Sequence, residues 1–484
     1  MNILMIMADQ FRADWMSCAG TDFVDTPNID AIAKRGVRFK NAICNAPLCA
    51  PSRAAVAAGV YPNRLGVLGN YENFPIDRTT YYQLLRKNGY RVCAIGKTDL
   101  HKPHHFYGEN GDLPMMYHLG FTDVIDTEGK MCACERRRRG IKVGSSETEL
   151  HEFRDDGEIP FDILAGPYQK YLKGKGKLRD FASDYHDRLC DKPVWYSNAS
   201  VLSSEDFHDG FIGKKSCEFL ENVGVESPWH LFVSFVGPHD PWDAPQEYFD
   251  MYKDKCFPAP ITDVSEDGKP DWVKKNRSFC SKDMGQEDMN KVKQHYAGMI
   301  KLIDDWVGKM LDTLDSRGLT DDTAIIFCSD HGEMLGDHGL FRKTFMYEGS
   351  LRVPLIVAHP QAEGGRTDDG LAEMVDLYPT ILDIAGVDYL KSGLDGISLL
   401  PVLSGVKKLR RNYQFSVLDR TRMISDGKYK LIVSYNDLNE LYDLENDPHE
   451  LNNIISENPG IVLRLTALME EINKEEGYYR HSLL

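Results

Sequence analysis

Short apolar runs alternate along this chain with stretches in which apolar positions recur every three to four residues. Residues 3–8, 91–95, 230–236 and 324–328 are near-continuous apolar runs of strand length, the pattern of strands buried on both faces of a parallel sheet. Residues 28–36 read as a helix, with Pro27 before it and Gly36 as its stop. Residues 296–314 read as an amphipathic helix with Ile300, Ile303, Val307 and Leu311 on one face. Asp304 and Asp305 of that helix are expected to face solvent. The alternation predicts an α/β fold around a largely parallel sheet. Two regions break the rhythm. Residues 109–204 are polar, rich in glycine and charge, and weakly periodic. They contain Glu135-Arg136-Arg137-Arg138-Arg139, which reads most simply as a solvated loop in a long insertion. From about Gly386 the pattern becomes a hairpin over 423–433 around Asp426-Gly427, a short strand at 441–444 and a closing helix at 461–474. The chain therefore divides into an N-terminal α/β domain, residues 1–385, and a smaller C-terminal α+β subdomain, residues 386–484, containing an antiparallel sheet.

A length of 484 residues leaves room for both units. The formal net charge of −17 argues against nonspecific binding to nucleic acid or to an anionic membrane, though a few local cations still suffice for an anionic substrate. The 11 cysteines are odd in number and scattered, so free thiols in a reducing cytoplasm are expected. Cys132 and Cys134 lack the second pair that a zinc site needs. The first eight residues have no basic segment before them, and Asp9 interrupts the run. They are a poor signal peptide and too short to span a membrane. The expected location is cytoplasmic, or periplasmic or secreted if a leader has been removed.

The most informative segment is Cys49-Ala50-Pro51-Ser52-Arg53, running through an alanine-rich stretch to Gly59. Pro51 suits a first helical position, the alanines favour helix, and Gly59 suits its end. Cys49 then sits where unpaired N–H groups and the helix dipole stabilise anions. A buried cysteine before an ordinary surface helix is the plainer alternative. Ligands in open α/β sheets gather at the carboxyl ends of the strands. Here those ends carry Asp9-Gln10, Gly96-Lys97 with His101 beyond, Gly237-Pro238-His239-Asp240, and Ser329-Asp330-His331-Gly332-Glu333. Each alone reads equally well as a turn or a cap, but together they form a pattern. Asp9, Gln10, Asp330 and His331 offer mainly oxygen donors, which suits a hard divalent cation: Ca²⁺ first, Mg²⁺ or Mn²⁺ as alternatives. Arg53, Lys97 and Lys343 offer cations for an oxyanion. His101 and His239 are candidates for moving protons near neutral pH.

On these residues the chain resembles the type I, formylglycine-dependent sulfatases of the alkaline phosphatase superfamily. Cys49-Ala50-Pro51-Ser52-Arg53 with Gly59, Tyr61 and Pro62 matches the sulfatase signature and is highly specific. Met7 to Gln10, Thr26 to Asp30, Gly96-Lys97, Gly237-Pro238-His239, Ser329 to Glu333, Lys343 and Leu441 to Leu444 follow in the family's order and support it. The resemblance implies an alkaline phosphatase-like large mixed, mostly parallel sheet sandwiched by helices. It also implies hydrolysis of a sulfate ester, of a carbohydrate by analogy and with aryl sulfates as surrogates. Cys49 would be oxidised to formylglycine by a separate maturation enzyme. One hydroxyl of the hydrated aldehyde would attack sulfur and the second would later expel sulfate. Asp9, Gln10, residue 49, Asp330 and His331 would hold one divalent cation, and Arg53, Lys97 and Lys343 would neutralise the sulfuryl oxygens. His239 is the expected acid and His101 the expected base, with His104 and His105 as alternatives.

Two departures stand out. Asp99 replaces the histidine common after Gly-Lys, and Gln10 replaces the second of two adjacent aspartates. Relatives that hydrolyse phosphonate monoesters share the Asp-Gln pair, so a phosphonate monoester hydrolase or phosphodiesterase is the rival reading, and an inactive sulfate-binding homologue a third. Trp242, Asp243 and the run Arg136–Arg139 are expected to shape the outer pocket.

Overall fold

The computed structural model describes residues 1–102, 106–131, 164–190, 192–262, 266–280, 283–405 and 411–473. The main sheet comprises β1 (Asn2–Asp9), β2 (Gly36–Ile43), β3 (Arg91–Gly96), β4 (Asp123–Asp126), β5 (Trp229–Pro238), β6 (Thr323–Ser329), β7 (Leu355–Ala358) and β8 (Arg366–Glu373), in the order β4-β3-β5-β1-β6-β7-β2-β8. Only β7 runs against its neighbours; the other pairings are parallel. The four strands expected from apolar runs are β3, β5, β1 and β6, the contiguous centre of the sheet. Strand β1 shows why they were legible. Ile3, Met5 and Met7 enter the core on one face, and Leu4, Ile6 and Ala8 enter the core on the other, as a period of two dictates when both faces are covered. Strands β2 and β8 lie at the margin and are partly exposed, so they carry no continuous apolar run.

Helix α1 (Pro27–Arg35) and the long helix Gln286–Ser316 match the expected segments, the second with a longer N-terminal extension. The long helix packs on one face of the sheet together with the helix His208–Asn222. C-terminal to Gly386, strands β9 (Gln414–Val417), β10 (Thr421–Ser425), β11 (Tyr429–Ser434) and β12 (Glu440–Asp443) form an antiparallel sheet in the order β12-β11-β10-β9. The expected hairpin is β10–β11, and the closing helix spans Pro459–Asn473. This sheet and helix bury Phe415, Ile424, Leu431 and Leu465 against Ala55 and Tyr61 of the N-terminal part. The 109–204 region contributes β4 and the helices Pro167–Gly174 and Leu178–Cys190. Its Arg136–Arg139 run and Cys132 and Cys134 lie outside the described residues. No helix among those described is long and apolar enough to cross a membrane.

One expectation fails. Asp304 does not face solvent; it is fully buried. Its carboxylate accepts from the backbone N–H of Asn28 (3.0 Å) and Ile29 (2.9 Å) and from the Asn28 amide (2.9 Å). Helix α1 has no side-chain cap of its own at Thr26, so the long helix supplies one from 276 residues away. Asp305 accepts from Tyr248 and Lys301.

Asp304→Ala is expected to lower stability by about 1–3 kcal/mol, seen as a lower urea midpoint, with turnover per folded molecule unchanged. Burial pushes the Asp304 carboxyl up to about 6, against the opposing pull of Ile29 N–H and Lys301. Its unfolded value is about 3.9. The shift therefore favours the fold at acid pH, and that contribution is lost as pH rises through about 6. Wild-type stability relative to Asp304→Asn should decline between about pH 4 and pH 6, and a rise over that window would remove the assignment.

Candidate active site

Strand register brings the polar groups together. Asp9 pairs with Pro238 of β5 on one side of β1, and Ala8 pairs with Ser329 of β6 on the other. Asp9, His239 and Asp330 thus emerge side by side at the carboxyl edge of the sheet. Strand β3 joins them through a turn that only glycine permits. Gly96 has φ +109°, and a Cβ there would lie 2.0 Å from the Ser234 carbonyl. The next residue, Lys97, donates its backbone N–H to that same carbonyl at 3.0 Å.

Cys49 opens helix α2 (Cys49–Ala58), in which every residue is buried, so this is not a surface helix. Pro51 is its third residue, still within the first turn where an N–H has no intrahelical partner. Asn70, from a separate loop, caps the helix by accepting from Ala50 N–H at 3.0 Å. Gly59 ends it in the left-handed conformation, φ +70°.

Around Cys49, one ligand atom from each of Asp9, Cys49, Asp330 and His331 lies within 4.8 Å of all the others, and all four residues are buried. Cys49 Sγ is 3.2 Å from His331 Nε2 and 3.8 Å from Asp9 Oδ1. His331 donates Nδ1–H to the Gly332 carbonyl at 2.9 Å. That fixes its tautomer and leaves the Nε2 lone pair facing the cluster. Two carboxylates, an imidazole and the atom of residue 49 form a donor set suited to a divalent cation.

The cations are equally specific. Arg53 donates Nε–H to Asp330 Oδ2 at 2.8 Å, Nη2 to Asp9 Oδ2 at 3.4 Å, and Nη1 to Ser234 Oγ at 2.6 Å and to the Lys97 carbonyl. Lys97 binds Asp9 and lies 3.3 Å from Asp99. Burial favours the protonated form of Asp9, yet Lys97, His239, Lys343 and Arg53 hold it well below the usual carboxylate range. The Cys49 thiol is likewise held well below its ordinary value. Burial and Asp9 oppose its ionisation, and Lys343, Lys97 and His331 outweigh them. Lys343 donates to His239 Nε2, while His239 Nδ1 donates to the Asp240 carbonyl.

Gln10 stands beside this cluster. Its Nε2 donates to Asp240 Oδ1 (3.3 Å) and to Glu333, and its Oε1 accepts from Lys343 at 2.7 Å. An aspartate at this position would face two carboxylates with no donor to offer, a physical reason for the amide. His101 is half-buried and does not line the cleft that opens at Cys49; its neighbour Lys102 does. His104 and His105 lie outside the described residues.

Trp242 and Asp243 do not shape an outer pocket, because both are fully buried. Trp242 donates to the Val194 carbonyl at 3.3 Å and packs on Tyr296. Asp243 accepts from Lys130 (2.6 Å) and Tyr185 (2.6 Å). Lys130 is the residue that sequence reasoning missed. Its ammonium also donates to the His239 (2.9 Å) and Pro241 (3.0 Å) carbonyls, pinning the loop that carries His239. Nothing in its sequence neighbourhood signals this. Asp240 and Glu333 were visible beside their strands but had no assigned partner.

Comparison with known proteins fits this geometry. A profile described as sulfatase matches residues 1–387, and one described as N-sulphoglucosamine sulphohydrolase, C-terminal, matches residues 336–476. The chain belongs to the sulfatase family. It is accordingly a sulfuric ester hydrolase, and its family uses a divalent metal and formylglycine. An arylsulfatase of Clostridium perfringens is 30% identical over 99% of this chain and 95% of the relative. An N-acetylglucosamine-6-O-sulfatase of Bacteroides thetaiotaomicron is 26% identical over 98% and 86%. Among solved structures, a phosphonate monoester hydrolase of Agrobacterium radiobacter superposes with a TM-score of 0.77 at 24% identity, covering 98% of this chain and 95% of that one; this likeness concerns the fold.

Lys130→Met leaves Asp243 buried without its cation, so a stability loss of about 3–5 kcal/mol is expected. On the expectation that His239 is the leaving-group acid, turnover of alkyl sulfates should fall more than that of aryl sulfates, since acid catalysis matters most for poor leaving groups. An equal loss on both would separate Lys130 from the positioning of His239.

Proposed function

We propose that this sulfatase hydrolyses a sulfate ester of a carbohydrate at residue 49, releasing the alcohol and inorganic sulfate. The observation that carries the reading is the buried juxtaposition of Cys49 with Asp9, Asp330 and His331, ringed by Arg53, Lys97 and Lys343. The carbohydrate rests on the relative named for a sulfated N-acetylglucosamine. The thiol of Cys49 stands in for the oxygens of a hydrated formylglycine, made by a separate maturation enzyme. Formylglycine supplies an oxygen nucleophile, and a divalent cation, Ca²⁺ by donor type, eases its ionisation. Asp9, Asp330 and His331 would hold that cation. Asn70 and helix α2 fix residue 49 beside those three side chains.

The remaining groups act on the ester. Lys97 and Lys343 bind the sulfuryl oxygens as charge builds on them. Arg53, already engaged by two carboxylates, a carbonyl and a hydroxyl, sets the positions of Asp9 and Asp330 and adds its field. When the ester S–O bond breaks, the departing alkoxide takes the proton that the Lys343 ammonium shares with His239 Nε2. His101, half-buried and away from the cleft wall, is a weaker base than expected; burial also pushes its imidazole down. The eight free cysteines among the described residues fit a reducing, cytoplasmic setting.

Mass spectrometry of the residue-49 peptide, from cells containing a maturation enzyme, should show that the sulfur is gone. A fully active enzyme with intact Cys49 would sink the mechanism. Asp330→Ala is expected to lose the bound metal, measured by elemental analysis, and to reduce kcat/KM by at least about a thousandfold. Gln10 motivates one rival, hydrolysis of phosphonate monoesters or phosphodiesters at the same site. A panel of sulfated sugars, aryl sulfates and phosphodiesters compared by kcat/KM decides between them, with the highest value expected for a sulfate ester.

A further inference from the structure

Three residues after Asp99, a second lysine joins the cleft. Asp99 sits at φ +57°, a left-handed conformation that few residues other than glycine adopt. This turn folds the chain so that Lys97 Nζ and Lys102 Nζ both lie 3.3 Å from the same oxygen, Asp99 Oδ2. Burial favours a neutral Asp99, yet Lys102 and Lys97 hold its carboxyl well below the usual range. The Lys102 side chain is 8% exposed and lines the same cleft as Cys49, Lys97 and His239, which opens to solvent.

Lys102 is also rigidly placed. Its backbone N–H donates to Asn73 Oδ1 at 2.8 Å, and Phe74 N–H donates to the Leu100 carbonyl at 2.8 Å. These bonds fasten the Lys102 loop to the segment whose Asn70 caps helix α2, so Lys102 and residue 49 are held in one frame. An ammonium has three donors, and Asp99 occupies one of them. The charge balance points the same way. Arg53, Lys97, Lys102, Arg342 and Lys343 stand against Asp9, Asp99, Asp240, Asp330 and Glu333, and a bound divalent ion turns that balance into a positive surplus. A monosulfate ester carries a single negative charge, too little to match it.

We propose that Lys102 forms a second anion subsite, and that the preferred substrate is a saccharide bearing a second anionic group, a sulfate or a carboxylate, beside the sulfate that is cleaved. This rests on the sulfatase reading of the same cleft and names its substrate class. Asp99 presents Lys102 while keeping Lys97 beside the reacting sulfate.

The test compares kcat/KM for three esters: a neutral monosulfated sugar, the same sugar with a second sulfate, and a sulfated uronic acid. Wild-type enzyme with converted residue 49 should favour one or both dianionic esters by about ten- to a hundredfold over the neutral sugar. Which of the two leads identifies the second anion as sulfate or carboxylate. Lys102→Ala should abolish most of that preference, largely through KM, and Lys102→Arg should restore it. Turnover of the monosulfated sugar with no preference for a second anion, or an equal loss on all three esters in Lys102→Ala, would overturn the inference and leave the sulfatase reading standing. No turnover of any sulfate ester would overturn both. The wild-type preference is read without any variant having to fold.

Discussion

The guanidinium of Arg53 is the contact on which the catalytic edge depends. It reaches Asp9 at the end of β1, Asp330 beyond β6, the Lys97 carbonyl beyond β3 and Ser234 within β5. One planar, permanently charged group with five fixed donors thus ties together the four central strands of the sheet. Its own helix begins at Cys49, so the same contacts fix residue 49 against the two carboxylates. Burying such a group is costly unless each donor is used. Here the cost is offset by two carboxylates, a carbonyl and a hydroxyl. Asp9 and Asp330 are in turn kept ionised, and available to an ion, by cations that never leave the protein.

Around that centre the fold solves the same problem repeatedly: a buried polar or charged group is matched by a specific partner, from a distant segment for Asp243 and helix α1 and from three residues onward for Asp99. Lys130 answers Asp243, Asp304 answers the open end of helix α1, Lys102 answers Asp99, and Gln10 donates between Asp240 and Glu333. Each pairing also holds a loop at the carboxyl edge or a helix behind it. Stability and the geometry of the cleft therefore rest on shared contacts.

The central strands were legible because burial on both faces demands an unbroken apolar run, and the Cys49 to Gly59 segment was legible because helix start, helix stop and reactive residue all fall within eleven positions. The outer strands β2 and β8 were not, since partial exposure mixes their composition. Asp304 and Trp242 were misread for one reason: an exposed and a buried polar residue look alike in sequence when the partner lies hundreds of positions away or is a backbone group. His101 and Lys102 differ by one position, and only the backbone turn at Asp99 decides which of them meets the cleft.

The sequence by itself determined the family, the α/β alternation and the residue types at the strand ends, because local periodicity and short-range motifs encode these. Tertiary structure decided which of those groups share a charge, which nitrogen of His331 faces the cluster, and that Lys130 and Lys102 belong beside them. Those choices depend on strand register and loop closure, and on electrostatic energies that fall off within a few ångströms and so exist only once distant segments are packed together.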